Sequence, residues 1–359
     1  MKDKELSPEN QLILNCATTA MDENVCASNL DMIKKGLNWE HIYETAKNHN
    51  VAPLMYPNLK ELNNNHPIPQ NILFKFRKSY HSNGIRNTRL YNELAILLKE
   101  FKENGIEVMF IKGAALAILV YKNIALRPMS DVDILIKKED AEKVEEILVK
   151  NGYKEDIPLR RKYFSELFPY LSPYVKTNIL TVEIKWGLFG YWPNGFKPGF
   201  NDFSKSSKFI IINNLTVLIP SIENMVELVW RHAKKHKIVG EQQLLSYCDL
   251  AELERSYGKE IKHKFKYILT PEEILEDEKN NSKDLYFIPG VYDRIKSING
   301  IYNKLLYIFG SLFPNREFII KRYKIRNKKS VYLYFLLRPS ILILNMLKSL
   351  LFKIKKSLF

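Results

Sequence analysis

The chain has 359 residues, 46% hydrophobic and 26% charged, with a formal net charge of +15. That balance excludes a disordered or collagen-like chain and provides apolar residues for a sizeable core in two or three compact units. The basic excess is local: residues 316–359 hold twelve Lys and Arg against one acid, Glu317, so +11 lies in the tail and about +4 is spread over the other 315 residues, which argues against a large nucleic-acid groove in the body of the protein.

Cys16, Cys26 and Cys248 are few and irregularly spaced, with no CxxC. Free thiols in a reducing compartment are expected. The opening MKDKELSPENQ is polar and lacks a signal-peptide core, which predicts a cytoplasmic protein.

Residues 1–95 read as a helical segment. Pro8 suits the first turn of a helix through PENQLILNCATTAMD. Apolar residues recur at helical spacing through NWEHIYETAKNHN up to Val51, and the pattern breaks before Pro53. ILFKFRKSYHSNGIRNTRLYNELAILLKEFKENG predicts one long helix or two joined ones, stopped at Gly105.

The texture then changes. Ile106 to Ile111 is a short apolar run after a glycine, which predicts a buried strand, and KGAALAILVY a helix. After the turn KNIALRPMS, Val132, Ile134 and Ile136 alternate with Asp131, Asp133 and Leu135, the signature of another strand. KEDAEKVEEILVKNGY predicts a helix, ILTVEIKW a strand, and FIIINNLTVLIP two strands about an Asn-rich turn, closed by Pro220. Residues 96–220 therefore form an expected α+β domain with a mixed sheet and flanking helices. Residues 221–310 read as helical, with Ser221 as a helix start before MVELVWRHAKKHK and a second helix in EQQLLSYCDLAELERSYG. The span 265–300 takes no assignment.

Asp131 and Asp133, two apart on a strand, share one face. Their mutual repulsion is relieved by a divalent cation, and Mg²⁺ or Mn²⁺ suits hard oxygen ligands. Glu183, flanked by Val182 and Ile184, is a third carboxylate in an apolar strand. Three such acids on neighbouring strands could hold two metal ions ~4 Å apart. Lys112 and Gly113 lie between strand and helix, where a cation and close backbone approach suit a phosphate tail. Arg127 is a second candidate cation.

FIKGAALAILVYKNIALRPMSDVDILI resembles the nucleotidyltransferase superfamily of the DNA polymerase β type, and more narrowly a prokaryotic family with a KGxxL…Y…R…DxDxLV pattern. The likeness extends through VEIKW and WRHAKKHK…CDL into the tail, over about residues 100 to 335. It implies a metal-dependent transfer of a nucleotidyl group from a nucleoside triphosphate, ATP included. In this chain the metal and catalytic roles fall on Asp131, Asp133 and Glu183, and nucleotide binding on Lys112, Gly113, Ala114, Arg127 and Ser130. Ala114 replaces the serine or glycine usual in the superfamily. That departure motivates an alternative: a catalytically inactive nucleotide- or partner-binding module of the same fold. The acceptor is open, a small molecule or protein being favoured over nucleic acid.

Lys185, His232, Lys235 and His236 are candidate phosphate contacts or supports of the site. His232 and His236 have i, i+4 spacing, which can bind metal. Arg231, Lys234, Lys235 and Lys237 around them disfavour a metal ion, leaving a basic helix facing a triphosphate or a solvated surface. Asp249 reads as structural. Finally, residues 311–359 form a basic amphipathic tail. Ile343, Leu347, Leu350, Leu351 and Ile354 recur at helical spacing, with Lys348, Lys353, Lys355 and Lys356 mostly between them. Peripheral contact with an anionic membrane surface and packing on protein are both open. The run from Val331 to Leu347 is 17 residues broken by Arg338, too short and charged to predict a span.

Overall fold

A computed structural model of the chain describes residues 6–156, 169–177, 179–188, 198–239, 244–259, 261, 275, 295, 298–323, 325 and 331–357, with the backbone alone at 235, 237–239, 321, 322 and 345–357. Five helices come first: α1 (Pro8–Cys16), α2 (Glu23–Lys34), α3 (Trp39–Asn48), α4 (Ala52–Asn65) and α5 (Gln70–Glu103). Ser7 and Asp22 cap α1 and α2 by accepting from the backbone N–H of Asn10 and Asn24. The expected break before Pro53 is real, and the chain restarts there because proline suits a first helical turn. The expected long helix is a single one of 34 residues, Gln70–Glu103, and Gly105 takes φ +71 just beyond it.

The remaining described elements are β1 (Met109–Ile111), α6 (Gly113–Leu119), β2 (Val132–Leu135), α7 (Ala141–Lys150), β3 (Lys154–Glu155), β4 (Tyr174–Lys176), β5 (Leu180–Lys185), α8 (Phe200–Ser204), β6 (Lys208–Ile212), β7 (Leu215–Ile219), α9 (Ile222–Val239), α10 (Leu244–Tyr257), α11 (Ile301–Leu312), α12 (Arg316–Arg322) and α13 (Val331–Ser357). The fold is α+β. Seven strands form one mixed sheet in the order β3-β4-β5-β2-β1-β7-β6. The β6–β7 hairpin turns through Asn213 and Asn214, both at positive φ, as a tight two-residue hairpin turn requires. The span 265–300 falls mostly outside the described residues.

Alternation along the central strands sends the two faces into different environments. Phe110, Val132, Ile134, Val182 and Ile184 are fully buried in the main core, which also contains Leu12, Leu54, Phe76 and Leu94 from α1, α4 and α5. The opposite face holds a smaller cluster of Met109, Ile111 and Leu135 with Phe200, Phe203 and Leu228. The acids emerge from this second face. The large core fixes the strands, and the smaller one brings α8 and α9 against the chemistry-bearing side.

Candidate active site

β2 and β5 run parallel, with Val132 opposite Val182 and Asp133 opposite Glu183. Residues opposite one another in such a pair project to the same side, so the two carboxylates stand next to each other. Asp131, one residue before β2, shares that side. Its half-buried carboxyl is raised above its ordinary range by burial and then by repulsion from Asp133 and Glu183. Ser130, exposed, donates to its Oδ1 at 2.9 Å.

Asp133 behaves in the opposite way. Burial alone would raise it, but the Lys112 and Lys185 ammonium groups, the Lys185 hydrogen bond and His232 together hold it far below the usual carboxylate range. Lys112 Nζ lies 3.0 Å from Asp133 Oδ2. Lys185 Nζ donates to Asp133 Oδ1 and, at 2.7 Å, to Glu183 Oε2. Burial would lower Lys185, yet Asp133 and Glu183 hold it protonated. Lys185 follows Glu183 by two residues on the same strand face, so its side chain folds back along β5 and joins the two acids.

Lys112 has φ +58 and ψ −128, a sparsely populated conformation for a residue with a Cβ. It forms the junction between β1 and α6, and the twist turns its ammonium back toward β2. Ala114 is buried, and its carbonyl accepts from the Tyr91 hydroxyl at 2.7 Å. The seven residues of α6 give a weak dipole.

Arg127 requires a correction. Expected to reach a phosphate tail, it is buried and forms a bidentate pair with Asp249 of α10, Nε to Oδ1 at 2.8 Å and Nη2 to Oδ2 at 2.7 Å. Tyr121 donates to the same Asp249 oxygen at 2.8 Å. The guanidinium passes directly beneath Gly113, where an added Cβ would lie 2.5 Å from Nη1. Arg127 therefore braces the glycine turn from inside. Asp249, read as structural, is its partner.

On α9, Leu228 joins the cluster beneath the acids, and His232 follows one turn later on the same face, close enough to help lower Asp133. His236 stacks edge-on against His232 with centroids 4.4 Å apart. Lys234 lies over the Trp230 ring. The Lys235 side chain lies outside the described residues.

Sequence reasoning missed the supports on α5. Asn83 Nδ2 donates to Ala125 O at 2.8 Å, and Asn87 Nδ2 to Ile124 O at 2.6 Å and Arg127 O at 2.9 Å. Arg86 donates to Met129 O. These bonds hold the carbonyls of the loop that delivers Asp131. The available signal was Asn83, Asn87 and Tyr91 at four-residue spacing on one face of a helix otherwise apolar there.

The donor chemistry fits a divalent cation. Three hard carboxylates converge on one face, and one is already destabilised by its like-charged neighbours. They do not form a closed cluster: among the described residues, no group of three His, Cys, Asp or Glu stands in a metal-holding array. Lys185 lies between Asp133 and Glu183 and must withdraw before the two can share a metal ion.

The profile of a family described as uncharacterised nucleotidyltransferases matches residues 35–268. The chain belongs to that family. The match takes in α3 to α5 and ends before α11, so the related region starts earlier and stops sooner than the sequence resemblance suggested. Among solved structures, the chain is similar to the antibiotic-resistance factor ANT(2'')-Ia, determined in solution. Identity is 13%, coverage is 54% of this chain and 92% of that one, and the TM-score is 0.36. No curated protein matches this chain.

Proposed function

We propose that this family member moves an NMP group from a nucleoside triphosphate, ATP among the candidates, to the oxygen of a small-molecule or protein acceptor, with Mg²⁺ or Mn²⁺ as cofactor. The observation that carries the reading is the in-register pair Asp133–Glu183 on adjacent parallel strands, with Asp131 crowded beside it. A bound divalent cation would neutralise the triphosphate and the departing pyrophosphate. Asp133, held ionised in the metal-free protein by Lys112, Lys185 and His232, would be an anionic ligand once Lys185 withdraws, and Asp131 and Glu183 would complete the oxygen set. Lys112 and Gly113 would border the place for the phosphate tail. The acceptor oxygen forms a bond to the α-phosphorus, and the α–β bridging P–O bond breaks, its electrons leaving with pyrophosphate. Glu183, whose side chain is 34% exposed, would take the acceptor proton.

The test is metal-dependent binding and turnover of each α-phosphate-labelled NTP, with Asp131→Asn plus Asp133→Asn as the comparison. Pyrophosphate release or label transfer, abolished in the double variant, is expected, with a loss of at least ~10³-fold. Metal-dependent binding without turnover under any acceptor would favour the inactive module. No metal-dependent binding would overturn the reading.

A further inference from the structure

The C-terminal helices lie beyond the family-matched region and leave apolar side chains in solvent along regular stripes. On α11, Ile301, Tyr302, Leu305, Ile308 and Phe309 are exposed, Ile301 by 75%. Their spacing of i, i+1, i+4, i+7 and i+8 describes one helix face. Tyr307 and Gly310 occupy the buried side. α13 repeats the pattern: Tyr332, Leu333, Leu336, Leu337, Ile343 and Leu344 are exposed, Leu336 by 77%, while Val331 and Arg338 are buried. Arg338 is pinned inward, donating to Ser311 O at 3.0 Å and Tyr323 Oη at 2.8 Å. This anchorage ties α13 to the end of α11 and to α12, so both outward stripes belong to one built unit.

Two exposed stripes on neighbouring helices exceed the scattered apolar residues normal for a protein surface. Charge selects the occupant. The segment from Arg316 onward carries twelve cations and one acid, and Lys348, Lys353, Lys355 and Lys356 lie along α13 itself. A second copy would bring another +11 against it and be repelled. No helix among the described residues is long and apolar enough to cross a membrane. Apolar faces joined to concentrated positive charge, without a spanning helix, match an anionic bilayer surface, where the apolar residues enter the acyl boundary and the lysines meet lipid phosphates.

We infer that α11 and α13 form a membrane-docking surface that holds the protein on anionic lipid. This holds whether or not the transfer chemistry does. The test uses the full chain with vesicles of phosphatidylcholine alone or mixed with phosphatidylglycerol. Co-flotation with the mixed vesicles is expected, weakened by salt, and at least about tenfold weaker for neutral vesicles. The variant Phe309→Glu plus Leu336→Glu, both exposed sites, should lose lipid binding at least about tenfold while keeping the wild-type circular dichroism. Absence of flotation, equal binding to neutral vesicles, or an unchanged double variant would overturn the inference. So would a lipid-free dimer that the double variant abolishes, since the face would then join two copies, or binding to acidic polypeptides in preference to lipid.

Discussion

Asp131 and Asp133 are two residues apart on one strand face, yet their surroundings drive them in opposite directions. Asp133 has two ammonium partners, whereas Asp131 has a serine hydroxyl and two carboxylates for neighbours. A carboxyl raised in the folded state favours folding while protonated and loses that contribution as pH rises through its folded value. Ionised Asp131 therefore strains the metal-free protein at neutral pH. Asp131→Asn in chelator should raise the thermal midpoint by about 2 °C at pH 7 to 8, and the gap should close as pH falls through the carboxylate range, where wild type also becomes neutral. A midpoint unchanged or lowered at neutral pH would show that the crowding is relieved. Asp133 has the other sign: its stabilisation is present above the unfolded carboxylate value and is lost only at much lower pH. The acids were legible in the sequence because alternation places i and i+2 together. The role of Lys185 was not, because its partner Asp133 lies 52 positions away and only strand pairing brings them into contact.

At the scale of elements, the site depends on braces that come from outside the sheet. α5 grips the loop before β2 through Asn83, Arg86 and Asn87, while α10 supplies Asp249 to Arg127. Both ends of the Arg127–Asp249 pair are buried, so removing one partner strands a charge. Asp249→Ala should cost about 3–5 kcal/mol by urea denaturation. Combining it with Arg127→Met should give a double-mutant cycle with coupling of about 2 kcal/mol. Additive losses would mean that the pair is not a strut. The sequence showed β1, β2, β5 and the β6–β7 hairpin, whose apolar alternation or Asn-Asn turn is local. It did not show β3 or β4, two and three residues long, which exist through pairing with neighbours rather than through any pattern of their own. Arg127 was misread for the same reason: an arginine near an acid motif suits phosphate binding or a buried strut, and a partner 122 residues distant decides which.

For the whole molecule, the N-terminal helices and the sheet share one interior. Leu12, Leu54 and Leu59 are fully buried in the same continuous cluster as Ile134 and Ile184, and Leu253 of α10 joins them. The closure is also polar. Glu252, 2% exposed, accepts from the Thr19 backbone N–H at 2.9 Å and the Thr19 hydroxyl at 2.8 Å, and Asn58 donates to Cys16 O and Thr18 O. Contacts so distant in sequence make α1 to α4 a wall of the core that steadies α5, the helix whose polar face grips the loop before Asp131. Deleting residues 1–65 would uncover Ile72 and Phe76, both buried, and leave Glu252 without its threonine partners. The truncated chain should bind a hydrophobic dye strongly and lose the cooperative urea transition of the full protein, because the exposed apolar area and the lost threonine hydrogen bonds of Glu252 each count against a marginal stability. A truncated chain that stays soluble, unfolds cooperatively and binds nucleotide like the parent would show instead that α5 and the sheet support the site alone.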